Sequence, residues 1–186
     1  MAYFQEAITF QPEFVEAHIN LANLLYLKGQ VNEAVAHFQK ALAIRPDHAE
    51  AHNNFGYVLQ RMGQAKEAVR HYQESLKIRP DYAEAQNNLA WLLATCPEVS
   101  VRNGSQALAL AQQADRLSGG NNPVMIKTLA AANAEAGRFP EALAAAKRAL
   151  ELAAAANNGA LTSDLRAQIE LYQTGSPFRD TAQTSH

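Results

Sequence analysis

Pro12, Pro46 and Pro80 stand 34 residues apart, and the residues between them keep the same frame. Ala17, Ala51 and Ala85 recur with that spacing, as do Leu21, Phe55 and Leu89, and Ala22, Gly56 and Ala90. Gly29/Gly63, Ala34/Ala68, Phe38/Tyr72 and Leu42/Leu76 repeat across the first two units. Self-similarity at a period near 34 residues marks a helix–turn–helix array, in which each unit buries one face against the next. Such arrays are built to present surface, so the spacing argues for binding rather than reaction chemistry.

The frame divides the chain. Residues 13–46 and 47–80 are two full units. In the first, Ala17, Leu21, Leu24, Leu25 and Lys28 fall at helical spacings and predict a helix over 15–28, stopped by Gly29. A second helix is predicted over 32–44, with Asn32 as its N-cap and an end before Arg45-Pro46. Asp47 and Asp81 are expected to cap the helices that follow their prolines. Residues 1–12 read as the second helix of a truncated repeat, with Phe4, Ala7 and Ile8 at the places of Phe38, Ala41 and Leu42. That start suggests the tail of a longer array.

Residues 81–122 form a third unit whose second helix is displaced, with Ala107 standing where the frame expects residue 102. An extended inter-helix loop around Cys96-Pro97 and Asn103-Gly104 accounts for the shift. Residues 123–156 restore the frame through Leu129, Ala130, Gly137, Ala142, Ala146 and Ala149, with polar Asn133 at the place of Leu25, Leu59 and Leu93. Within 157–173 a capping helix is predicted over 163–172, with Leu165, Ile169 and Tyr172 on one face. Residues 174–186 are polar and are expected to be disordered.

Residues 50–80 carry His52, Phe55-Gly56, Leu59, Gly63, Ala68, Tyr72, Ser75 and Pro80 in order, and this pattern resembles the tetratricopeptide repeat (TPR) family. His52 stands for the usual aromatic and Ser75 for the usual alanine. The resemblance covers residues 1–155 and implies an all-α fold, a right-handed α-α superhelix (TPR solenoid) closed by a C-terminal capping helix. It is similar to the repeat arrays of O-linked N-acetylglucosamine transferases and to the C-terminal ends of long bacterial TPR proteins.

In this family the first helix of each unit lines a concave groove, so residues recurring there form ladders. Asn20, Asn54 and Asn88 make one, with Asn53 and Asn87 beside the last two. An amide offers both a donor and an acceptor and can pair at two points with the peptide bond of an extended ligand. Asn23, Tyr57 and Trp91 form a column of contact residues, two of them aromatic. Glu16, Glu50 and Glu84 form an acidic ladder. A carboxylate in a helix's first turn is stabilised by the helix dipole alone, so these three have a structural reading as well as a binding one. The resemblance does not extend to repeat domains that clamp the terminal carboxylates of heat-shock chaperones. Asn23 and Asn54 match that clamp, but its cationic places hold Ile19, Glu84 and Asn88.

Composition narrows the function classes. A formal charge of −2 and a pI near 6.3 give no electrostatic footprint for nucleic acid. No apolar run approaches the ~18 residues needed to cross a bilayer, so no direct membrane insertion is expected. Met1 to Glu6 have neither a basic head nor an apolar signal core, which favours the cytoplasm for the chain as given. The single Cys96 reads as a small buried hydrophobe. His18/His52 and His37/His71 are repeat-related pairs without metal-ligand spacing, and no nucleophile–base set or phosphate loop is visible. The chain therefore reads as a protein-interaction scaffold holding an extended or helical peptide in its groove, with no catalytic, cofactor or metal residue. The alternative is the non-catalytic arm of a larger bacterial enzyme, such as a glycosyltransferase. Weak self-association through the uncovered apolar side of the N-terminal helix is expected.

Overall fold

Residues 1–181 are described by a computed structural model, and among them ten α-helices and one 3-10 turn account for all regular structure. They fall into two units, residues 1–80 and residues 81 onward.

In the first unit α1 (Ala2–Phe10) packs on α2 (Val15–Leu27), which pairs with α3 (Val31–Ile44), and α4 (Ala49–Arg61) pairs with α5 (Ala65–Ile78). The turn inside each pair is set by one glycine. Gly29 and Gly63 adopt φ of 78° and 75°, the left-handed region that side chains with a Cβ avoid. There, Gly29 N donates to Tyr26 O and Gln30 N to Leu25 O, while Gly63 and Gln64 repeat the two bonds to Gln60 and Leu59. This Schellman pattern satisfies carbonyls that the helix end leaves open.

The repeated small residues let the paired helices approach. Ala17, Ala22, Ala34, Ala41, Ala51 and Ala68 are buried, and Phe38 stacks on Phe55 with ring centroids 5.7 Å apart. A Cβ on Gly56 would lie 2.9 Å from Cε1 of Tyr72, so that helix pair has no room for even a methyl group. Buried Tyr72 donates its hydroxyl to Gln60 Oε1 at 2.9 Å, and buried Ser75 donates to Ala49 O at 2.8 Å. The serine at an alanine position thus finds a partner in the facing helix.

In the second unit α6 (Ala83–Thr95) pairs with α7 (Gly104–Leu117), α8 (Pro123–Glu135) with α9 (Phe139–Ala155), and α10 (Gly159–Gln173) covers α9. An alanine-rich core runs through Ala107, Ala111 and Ala114, then Ala142, Ala146, Ala149 and Ala153, and closes on Leu161, Leu165 and Tyr172. The inserted loop contains the 3-10 turn Val99–Val101. Gly104 is no loop residue: it opens α7 where a Cβ would meet Glu135 backbone atoms at 2.9 Å.

Several local expectations are corrected. Asn32 lies inside α3, which opens from Gln30 without a side-chain cap. The residues capping α4 and α6 are His48 and Tyr82, not Asp47 and Asp81, and His48 accepts from Ala51 N at 3.2 Å. Helix α10 begins four residues before the predicted start, because the Asn158 side chain caps it by accepting from Leu161 N at 3.1 Å. Buried Asn133 donates to Leu129 O at 3.0 Å within its own helix. Residues 178–180, expected to be disordered, lie against α6 and α8; residues 182–186 of that expected tail lie outside the described residues.

Candidate functional site

In the first unit the candidate face is formed by α2 and α4. Glu16, Asn20, Glu50 and Tyr57 are exposed, and Asn23 and Asn54 are half-buried. Asn54 and Tyr57 sit three residues apart on α4, one turn along the same side. Tyr57 meets Tyr26 of α2 edge-on, with ring centroids 5.8 Å apart. Burial raises the Tyr26 hydroxyl above its ordinary pKa, Tyr57 adds to the rise, and neighbouring Arg61 opposes it. The Tyr26–Tyr57–Arg61 group was not legible as a site, because Tyr26 sits one turn beyond the repeating column at Asn23.

Asn53 departs from the ladder reading. It is buried, and its Nδ2 donates to Asn54 Oδ1 at 3.1 Å. Its amide therefore orients Asn54 from behind and is not itself presented. The Asn54 oxygen retains a second lone pair, so the amide can still serve as both donor and acceptor. Glu16 also has an internal partner, Arg45 Nη1 at 2.7 Å, and this bridge lowers its pKa. Both side chains are nearly half exposed, so the bridge contributes little stability, while it ties the start of α2 to the end of α3.

Two histidine pairs lie on the same helix hairpins. His52 Nε2 donates to Pro46 O at 2.9 Å, which leaves its Nδ1 to accept from His71 Nδ1–H, also at 2.9 Å. His18, Pro12 and His37 repeat this arrangement one unit earlier. Burial, followed by the facing His52, pulls the His71 pKa to about 4, and His37 is lowered for the same two reasons. Protonating both rings of a pair would set two N–H groups against each other across the Nδ1–Nδ1 contact. Among the described residues no group of three or more His, Cys, Asp or Glu is placed to hold a metal ion. No helix there is long and apolar enough to cross a membrane. Cys96 is buried, and burial raises its thiol pKa.

In the second unit the candidate face is formed by α6 and α8. Glu84 is exposed, Asn88 and Trp91 are half-buried, and Asn87 is buried with its Oδ1 unpartnered among the described residues. Trp91 is engaged on three sides. Lys127 Nζ of α8 stands 4.7 Å from its ring centroid, Phe178 packs at 5.7 Å, and its Nε1 donates to Asp180 Oδ2 at 3.0 Å. Asp180 N donates to Thr95 O at 2.9 Å, and Arg179 Nη1 donates to Ala94 O at 3.2 Å. Glu135 receives Arg179 Nη2 at 2.7 Å and Arg102 Nε at 3.0 Å. Sequence reasoning singled out Trp91 but missed Lys127, Glu135 and the segment carrying Phe178, Arg179 and Asp180. The segment is short, and nothing periodic announces it.

Two sequence profiles described as tetratricopeptide repeat match the chain, one over residues 13–81 and the other over residues 53–122. Together they cover more than half of it. No curated protein sequence matches the chain. Solved structures give the same architecture. YrrB, described as a TPR protein with an unusual peptide-binding site, aligns with a TM-score of 0.68 at 22% identity, covering 92% of each chain. PilW, a type IV pilus biogenesis factor, aligns with a TM-score of 0.69 at 22% identity, covering 91% of this chain and 82% of its own. TTC0263, a TPR protein of Thermus thermophilus, aligns with a TM-score of 0.66 at 22% identity, covering 92% and 87%. At these identities the likeness concerns the fold.

Proposed function

This chain belongs to the tetratricopeptide repeat family, and from that premise we propose that it is an interaction scaffold holding a peptide segment of a partner on the faces of its first helices. TPR proteins serve as protein-interaction scaffolds, and one structural neighbour is described by its peptide-binding site. The observation that carries the reading is on α4. Tyr57 remains 44% exposed beside Asn54, an amide held in place from behind by buried Asn53. An exposed aromatic next to an oriented amide offers rigid contact area together with two-point recognition of a peptide bond. Asn20 and Asn23 extend this set onto α2, and exposed Glu16 and Glu50 bias it towards neutral or basic segments. In the second unit Asn88, Trp91 and Glu84 belong to the corresponding surface. No reaction of its own is assigned to the chain.

The test uses peptides selected from a displayed library against the full chain. Asn54→Ala should weaken the selected peptides by about tenfold, the scale of one or two lost hydrogen bonds, with folding nearly intact. Gln73→Ala, an exposed change on α5, should leave affinity unchanged. A stability loss above ~2 kcal/mol on Asn54→Ala with affinity unaltered would assign that asparagine to the fold instead.

A specific observation also supports weak self-association through α1. Tyr3 and Phe10, seven positions apart on one stripe of that helix, are 75% and 83% exposed.

A further inference from the structure

The face formed by α6 and α8 is covered by the chain's own residues 178–180. The reason starts at the end of α6. Helices α2 and α4 close on a glycine, but the inserted loop removes that glycine after Thr95, so the last carbonyls of α6 need other donors. Asn103 N supplies one to Leu93 O, and Arg102 Nη1 serves Cys96 O and Pro97 O. Ala94 O and Thr95 O are left to the Arg179 side chain and the Asp180 backbone. Phe178 fills the space between Trp91 and the α8–α10 core, Arg179 reaches Glu135, and Asp180 takes the indole N–H. A backbone donor, a ring, a cation and a carboxylate are all groups that an unconnected peptide can also offer.

The surroundings are arranged so that this segment can leave. Helix α10 closes independently of it, since Gly175 N donates to Tyr172 O and Ser176 N to Leu171 O. Glu135 would keep Arg102 as its partner, so removing Arg179 strands no buried charge. Lys127 would remain over the Trp91 ring, paired with Asp164 at 3.5 Å.

We propose that residues 178–180 are an internal occupant of a peptide site on α6 and α8, and that this site receives a partner segment presenting an aromatic, an arginine and a carboxylate in succession. This rests on the reading that first-helix faces take peptides. The tail then acts as a competitor that a partner must displace. A short tether holds the segment at an effective concentration on the order of 1 mM, so a segment whose own dissociation constant is near 100 µM weakens a competing ligand about tenfold.

The experiment uses the full chain, its Phe178→Ala/Asp180→Ala variant, and a labelled synthetic peptide spanning residues 174–181. Trp91 is the only tryptophan, so its emission reports on the site directly. The variant should keep its helical circular dichroism, show altered Trp91 emission that added peptide restores, and bind the peptide about tenfold more tightly than the unaltered chain. Adding Glu135→Lys to the variant should abolish that binding. Equal affinities in the two chains, or binding indifferent to Glu135→Lys, would overturn the proposal. Loss of helix in the variant would show the segment to be a structural cap and overturn it likewise. The Asn54 experiment reads the first unit, so either result can fail while the other stands.

Discussion

The indole N–H of Trp91 donates to the carboxylate of Asp180 at 3.0 Å, joining residues 89 positions apart in sequence. Trp91 is half-buried, with Phe178 and Lys127 against its ring. The aromatic that looks like a hot spot for a partner is already occupied by an internal one. In the first unit Tyr57, at the matching place in the repeat, is 44% exposed.

Packing at Gly56 gives a sharp stability test. Gly56→Leu drives a side chain into Tyr72, which is fully buried and anchored by its bond to Gln60. Overpacking of this kind costs about 1–3 kcal/mol or more, and chemical denaturation should show it as a lowered midpoint. Tyr72→Phe should cost about 1–2 kcal/mol, since it leaves buried Gln60 without that donor. An unchanged midpoint for Gly56→Leu would mean that the helix pair is not as close as described.

The two glycines that open helices α7 and α10 should respond oppositely to alanine. At Gly104 the added methyl meets Glu135 backbone at 2.9 Å, and backbone cannot swing aside, so Gly104→Ala should cost about 1–3 kcal/mol. At Gly159 nothing lies within 4 Å of the added Cβ, and Gly159→Ala should stabilise by about 0.4–1 kcal/mol through the unfolded chain. Thermal midpoints of the two variants measure this directly.

His71 should make the first unit acid-sensitive. His71 is held neutral by burial and by facing His52, while neighbouring Glu74 opposes the shift only in part. Its folded pKa of about 4 lies below the ordinary 6.5, so the unfolded chain takes up the proton first. The stabilising contribution is complete above about pH 6.5 and drains away as pH falls towards 4. Because His71 is only partly buried, solvent screening holds the loss to about 1–2 kcal/mol. Denaturant midpoints across this range should fall with acid, and His71→Phe should flatten the slope. An equal slope in the variant would assign the sensitivity to other groups.

Self-association should follow the apolar stripe of α1. Light scattering of the full chain at high concentration should show weak association that Tyr3→Ser/Phe10→Ser abolishes. A monomer in both cases would remove α1 as a contact.

The repeat frame was legible because it is enforced by volume. Positions such as Ala17, Ala51, Ala85, Gly56 and Ala90 admit only small residues where helices touch, and that constraint is written in the sequence every 34 residues. Caps were less legible, because Asp47 and His48 are both able to cap and chain geometry selects the second. The order of residues 178–180 could not be read at all. It depends on carbonyls that the inserted loop leaves open at the end of α6, and no local pattern in Phe178, Arg179 and Asp180 announces them. Asn53 and Asn87, one position before Asn54 and Asn88, look like ladder members in sequence but are buried in the fold.

The central claim is that first helices, and not second helices, carry recognition. Backbone amide shift mapping of the full chain with a library-selected peptide tests it most directly. Shifts should concentrate on α2 and α4, joined by α6 and α8 when Phe178→Ala/Asp180→Ala frees the second face. Shifts concentrated on α3, α5, α7 and α9 would contradict it.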